Sequence, residues 1–149
     1  MAVVAPTLDE MLKVKAYLVV QRNVVRDYLD VVALADHMGL VHAAEVLWGI
    51  DDYYDDRYAV KGSVRTSLVL VLAAPRPLDV DVIRELPRYH GLDPKWHGWS
   101  SVVAAGEALA LEVAESSAPS RSAMWWLHRV TPSTHGPSRR SPRPWRAGS

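Results

Sequence analysis

No acidic residue follows Glu115, and that break bounds how much of this 149-residue chain has the makings of a core. Residues 1–115 hold all seventeen acids against eleven bases, a net charge of −6. Ser116 to Ser149 holds six arginines (Arg121, Arg129, Arg139, Arg140, Arg143 and Arg146), no lysine and no acid. Five of the ten prolines and three of the six tryptophans also fall there. Outside Ala123 to Leu127 this segment has no helical or alternating apolar period, so burial cannot offset its ordering entropy. We therefore expect a folded domain over 7–115 and a disordered basic Ser/Pro/Arg/Trp tail over 116–149. Three readings of the tail stay open. It is a nucleic-acid arm whose Trp125, Trp126 and Trp145 stack on bases, a dangling terminus, or translation past a frameshift in a GC-rich gene.

Composition removes several function classes. The chain has no cysteine, which excludes disulfide scaffolds, cysteine-ligated zinc, iron–sulfur clusters and thiol catalysis. Its formal neutrality argues neither for nor against a nucleic-acid or membrane partner. The longest apolar run, Leu68 to Ala74, is too short to span a bilayer, and Met1 to Pro6 lack a basic stretch of the secretory type. The expectation is a cytoplasmic chain with no membrane partner.

Helix punctuation then sets the fold class. Thr7-Leu8-Asp9-Glu10 has the form of a capping box and predicts a helix over Leu8 to Gln21. Asn23 is placed to cap a second helix, striped by Val25, Leu29 and Val32 and widened by Val24, Tyr28 and Val31. Gly39 follows as a left-handed terminator. A third helix is expected from Leu40 to about Asp55 with Ala43, Ala44, Leu47 and Ile50 inward. Gly62-Ser63 opens a fourth that stops at Pro75-x-Pro77. A short helix over Val80 to Leu86, a turn over His90 to Gly98, and a last helix capped by Ser100 or Ser101 and ending near Glu115 complete the reading. The fold class expected is all-α, a small irregular bundle of about five helices.

Lys15 to Asp30 carries the densest mixed charge: Lys15, Arg22, Arg26, Asp27 and Asp30. Arg26, Asp27 and Asp30 share one helix face by their three- and four-residue spacings. A hairpin at Gln21 to Asn23 would carry Lys15 and Arg22 to the same side. Such a cluster suits a polyanion, with bases on phosphates and a carboxylate orienting a hydroxyl, a base or a metal-bound water. On spacing alone, a salt-bridged helical face is the plainer reading.

The K-x6-R-x3-R-D-x-x-D string, followed by the apolar run Val31 to Leu34, resembles the helical C-terminal part of AbiEii/AbiGii-type nucleotidyltransferase toxins over about residues 7–58. That resemblance implies Lys15 as a contact to nucleotide phosphates and Asp27 as a pocket carboxylate, with Arg26 and Asp30 supporting it. The family's Gly-Ser turn and acid pair on a strand, which hold magnesium, have no counterpart ahead of Lys15. The implied function is a truncated or split nucleotidyltransferase-like module of toxin–antitoxin type, inactive alone. It would have no catalytic residue or cofactor of its own, and magnesium only if a partner supplied the catalytic lobe. The implied partners are a catalytic-lobe or antitoxin protein, and NTP or RNA at the cluster. The alternative is a non-enzymatic interaction or accessory protein whose charged helix face is structural.

Other features have plainer readings. Asp51, Asp52, Asp55 and Asp56 read as a solvated helix end rather than a cation site, since the helix dipole disfavours acids there. The six histidines show no HExxH or other close metal-ligand spacing. Trp96-His97-Gly98-Trp99 reads as a turn whose indoles cover the bundle's end. A helix-turn-helix over Val31 to Leu47 fails because the would-be recognition helix, Leu40 to Asp56, has five acids and no base.

Overall fold

Thr7 opens the first helix by the reciprocal contacts that its spacing to Glu10 predicts. In the computed structural model, which describes residues 4–116, the Glu10 amide donates to Thr7 Oγ1 at 3.2 Å and the Thr7 amide donates to Glu10 Oε2 at 2.9 Å. Helix α1 runs Leu8–Arg22 and turns Leu12, Ala16 and Val19 inward. Asn23 then closes α1 in the left-handed conformation (φ 49°, ψ 52°) instead of opening the next helix. Asparagine tolerates that region because its short side chain bonds locally, and here Asn23 Oδ1 accepts from the Tyr28 hydroxyl.

Helix α2, Val25–Met38, starts after Val24, which offers no capping side chain. Asp79 supplies the missing acceptor from far along the chain, its Oδ1 taking the Val25 amide at 2.8 Å. Val25, Tyr28, Leu29, Val31, Val32 and Ala35 form the buried stripe. Gly39 ends α2 at φ 92°, ψ 135°, a glycine conformation outside the left-handed helical region expected. The chain there bends by 118° into α3, Leu40–Trp48.

The continuous helix expected to Asp55 is broken at Gly49 and Tyr54 into α3, α4 (Ile50–Tyr53) and α5 (Asp55–Lys61). Its apolar stripe explains the break. Ala43, Ala44, Leu47 and Ile50 are buried as expected, but α5 buries nothing. Tertiary packing holds most helices in register, and beyond Ile50 no residue of this stretch is fully buried, Tyr54 being only partly packed against the core. Ser63 caps α6, Val64–Ala73, by accepting from the Thr66 amide at 3.0 Å, so Leu68 to Leu72 is helical as expected. The short helix expected at Val80 to Leu86 is a 3-10 segment over Val80–Arg88 that contains Pro87. Proline lacks the N–H an α-helical interior needs. A second 3-10 turn covers Pro94–Trp96, and α7 runs Trp99–Ser116, one residue ahead of the expected cap Ser100.

All regular structure among the described residues is helical, so the chain is all-α. Helix α7 lies along α6 and α3 and also meets α2, while α1 pairs with α2 and α6. At Gly106 a β-carbon would sit 3.2 Å from the Leu72 carbonyl, so the absence of a side chain lets α6 and α7 approach this closely. Among the described residues no single helix is long and apolar enough to cross a membrane. The disorder expected for 116–149 falls, but for Ser116, outside the described residues.

Candidate functional site

Two residues, Asn23 and Val24, join α1 to α2, and this short link folds the helices into a hairpin that faces their charges toward one another. Lys15 Nζ donates to Asp30 Oδ2 at 2.8 Å across it. Arg22 grips Asp27 with two bonds, Nε to Oδ2 at 2.9 Å and Nη2 to Oδ1 at 2.5 Å. Among the described residues Asp27 is the one buried charged side chain. That carboxylate, by hydrogen bond and then by charge, raises the Arg22 pKa above its ordinary value. A fork-on-carboxylate pair of this kind fixes geometry as well as charge.

Arg26 differs from the other four. It is exposed and has no ion pair or side-chain hydrogen bond among the described residues. It stands at a cleft of about 250 Å³ shared with Leu29, Asp30, Val82, Tyr89, His90, Gly91 and Leu92. Lys15 and Asp30 border a separate, shallower groove with Met11, Ala33 and Leu34. The hairpin thus gathers all five expected residues into one neighbourhood, yet joins four of them as internal pairs. One guanidinium remains directed at solvent.

Sequence reasoning missed the other half of this cleft. Tyr89 and His90 come from the loop after Val80–Arg88, and the signal that could have found them was the strap leading there. Asn23 Nδ2 donates to the Arg76 carbonyl at 2.8 Å, and the Leu78 amide donates to the Asn23 carbonyl at 2.9 Å. A Pro-x-Pro segment followed by a cap-forming aspartate is suited to such a strap, but its target is invisible in sequence.

The remaining candidates have structural partners. Asp51 accepts from Ser63 Oγ at 2.5 Å and from the Arg65 amide at 3.1 Å, tying α4 to the start of α6. The Arg65 guanidinium lies 3.6 Å from the Trp48 ring centre and donates to the Trp48 carbonyl at 3.2 Å. Arg57 stands 4.6 Å over Tyr17, which stacks on Tyr54 at 4.3 Å. Burial and then the neighbouring Tyr53 raise the Tyr54 pKa. Trp96 is buried, and Trp99, the first residue of α7, meets Tyr28 edge-on at 5.9 Å. Among the described residues no three of His, Asp and Glu are grouped to hold a metal ion.

No family model and no solved structure matches the chain. It is similar to curated MmpL11 proteins. Identity is 41% over 75 residues to the heme uptake protein MmpL11 of Mycobacterium tuberculosis, covering 50% of this chain and 8% of that protein. It is 39% over 79 residues to the mycolic acid-containing lipids exporter MmpL11 of Mycolicibacterium smegmatis, covering 53% and 8%. To the probable transport protein MmpL11 of Mycobacterium leprae it is 35% over 75 residues, covering 50% and 7%. The match spans less than a tenth of each relative's length.

These likenesses overturn the AbiEii/AbiGii resemblance and, with it, the truncated nucleotidyltransferase function and the antitoxin or catalytic-lobe partner. The hairpin supplies a physical reason for the misleading string. Two antiparallel helices joined by two residues, each neutralising the other's charges, generate the same spacing of bases and acids without a nucleotide. The cytoplasmic, membrane-free expectation falls as well, since the matched proteins are named for transport, uptake and export. The findings thus combine an all-helical bundle with a chain half of whose residues align to a short stretch of MmpL11 transport proteins.

Proposed function

We propose that this chain serves a membrane transport system as a non-catalytic helical module, the counterpart of a short segment of MmpL11-type proteins. The observation that carries the reading is the 41% identity over 75 residues to a protein named for uptake. The hairpin supports it. Four of its five charged side chains bind one another, which suits a rigid positioning element more than a reaction centre. In this role the bundle presents its surface to other parts of the transport machinery, and its core supplies rigidity.

A segment exchange tests the reading. The matching residues of this chain replace their counterparts in the exporter MmpL11 of Mycolicibacterium smegmatis, in cells lacking their own copy. Export of mycolic acid-containing lipids should return to near the level given by the unaltered exporter. A chimaera that accumulates in the membrane in normal amounts but exports nothing would overturn the proposal.

A further inference from the structure

The cations of this protein fall into two groups. Among the described residues most are engaged: Lys15, Arg22 and Lys95 with carboxylates, and Lys13, Arg57 and Arg65 over aromatic rings. Five basic side chains have no such partner: Arg26, Lys61, Arg76, Arg84 and Arg88. Four of the five come from one edge. The backbone of Arg76 and Leu78 is bonded to Asn23, one turn from Arg26. Arg26 shares its cleft with Tyr89, and Tyr89 shares the adjoining surface with Arg88. Arg84 is exposed on the 3-10 segment that connects them.

Apolar side chains stand exposed on the same edge. Leu78 is 78% exposed, Val80 56% and Tyr89 43%. The acids nearby are largely withdrawn: Asp79 faces inward onto the Val25 amide, Asp27 is buried on Arg22, and Asp30 is held by Lys15. Asp81 and Glu85 stay exposed and Asp79, bonded to a neutral amide, keeps its charge, so four arginines face three unpaired acids and the edge is net positive by one. Residues 1–115 as a whole carry −6. A negative body with one positive, apolar-tipped edge is oriented by an anionic surface, which attracts the edge and repels the remainder.

We propose that this edge, Arg76 to Tyr89 with Arg26, docks on the surface of an anionic lipid bilayer. The arginines meet lipid phosphates while Leu78, Val80 and Tyr89 enter the headgroup layer. Lipid headgroups fit better than a protein groove because the guanidiniums are spread along an irregular segment. A fluid surface can rearrange to meet each of them.

Co-sedimentation of the full chain with vesicles tests this without any transporter, so its failure leaves the transport relation standing. Vesicles of equal phosphatidylcholine and phosphatidylserine should capture the chain, pure phosphatidylcholine should not, and added salt should weaken capture. Arg26→Gln with Arg88→Gln should weaken it by about thirtyfold, Leu78→Asp should weaken it further, and Lys61→Gln should leave it unchanged. Unaltered helical circular dichroism would show that the variants fold. Capture unaffected by the edge variants would place binding on the six arginines beyond Ser116 and overturn the proposal. Equal capture by both vesicle types, or none by either, would also overturn it.

Discussion

The α1–α2 hairpin and the Arg76 to Tyr89 edge share an arginine-rich composition but differ in where their carboxylates lie. In the hairpin each of two carboxylates meets a cation from the opposing helix, and the charges are consumed in holding the helices together. Along the edge the nearest aspartate has turned inward to finish a helix, leaving the arginines to solvent. Similar residues therefore act as fasteners in one place and as free charge in the other. What separates them is the availability of a partner at the right depth, not residue type.

Substitutions can break this contrast, most strongly at Asp27. Removing its partner by Arg22→Ala strands a buried carboxylate and should cause the largest loss of stability among these variants. Chemical denaturation checks this, and a loss below that of Asp79→Ala would show that Asp27 is solvated after all. Asp79→Ala deletes the acceptor at the first turn of α2 and should cost about 1 kcal/mol, read in the same assay. Lys15→Ala, in a pair about one-third exposed on both sides, should cost roughly 0.5 kcal/mol. Arg84→Ala on the edge should change the midpoint by almost nothing. If Lys15→Ala and Arg22→Ala came out equal, depth would not be what distinguishes the pairs.

Alkaline titration sharpens the contrast from another side. Burial raises the Tyr28 pKa, so the folded chain keeps a proton that the unfolded chain releases. Stability should be intact below the ordinary tyrosine value of about 10 and fall as pH rises past it. Tyr28→Phe should flatten that decline, and an unchanged slope would assign it to other groups.

Local signals in the sequence were read well where the decisive partner lay within a few residues. The Thr7–Glu10 box, the Ser63 cap and the inward Ala43, Ala44, Leu47 and Ile50 are of this kind, because capping and helical period are short-range. Asn23 was misassigned because its spacing suits a cap on either side. The choice was made by Arg76 and Leu78, more than fifty residues away. The break of α3 at Gly49 was missed for a related reason. Acids and aromatics continue the helical pattern to Asp55, and only the end of the fully buried stripe at Ile50 shows where support thins. Four of the five expected site residues do form ion pairs within the hairpin. The cleft beside Arg26 was half visible, since Tyr89, His90 and Leu92 reach it through a long-range strap that no period announces.

The Asp79 cap has a consequence for the order in which this chain assembles. The Val25 amide waits for an acceptor 54 residues downstream, so the whole hairpin is synthesised before the residue that completes it exists. Until then the first turn of α2 frays, and Asn23 lacks the strap that pins it. The closing event is a loop closure of more than fifty residues, costly in chain entropy and slow beside helix formation. Segments ending before Pro75 should therefore be helical in part but lack a fixed hairpin turn, and the native topology should lock only when the Pro75-x-Pro77 strap lands.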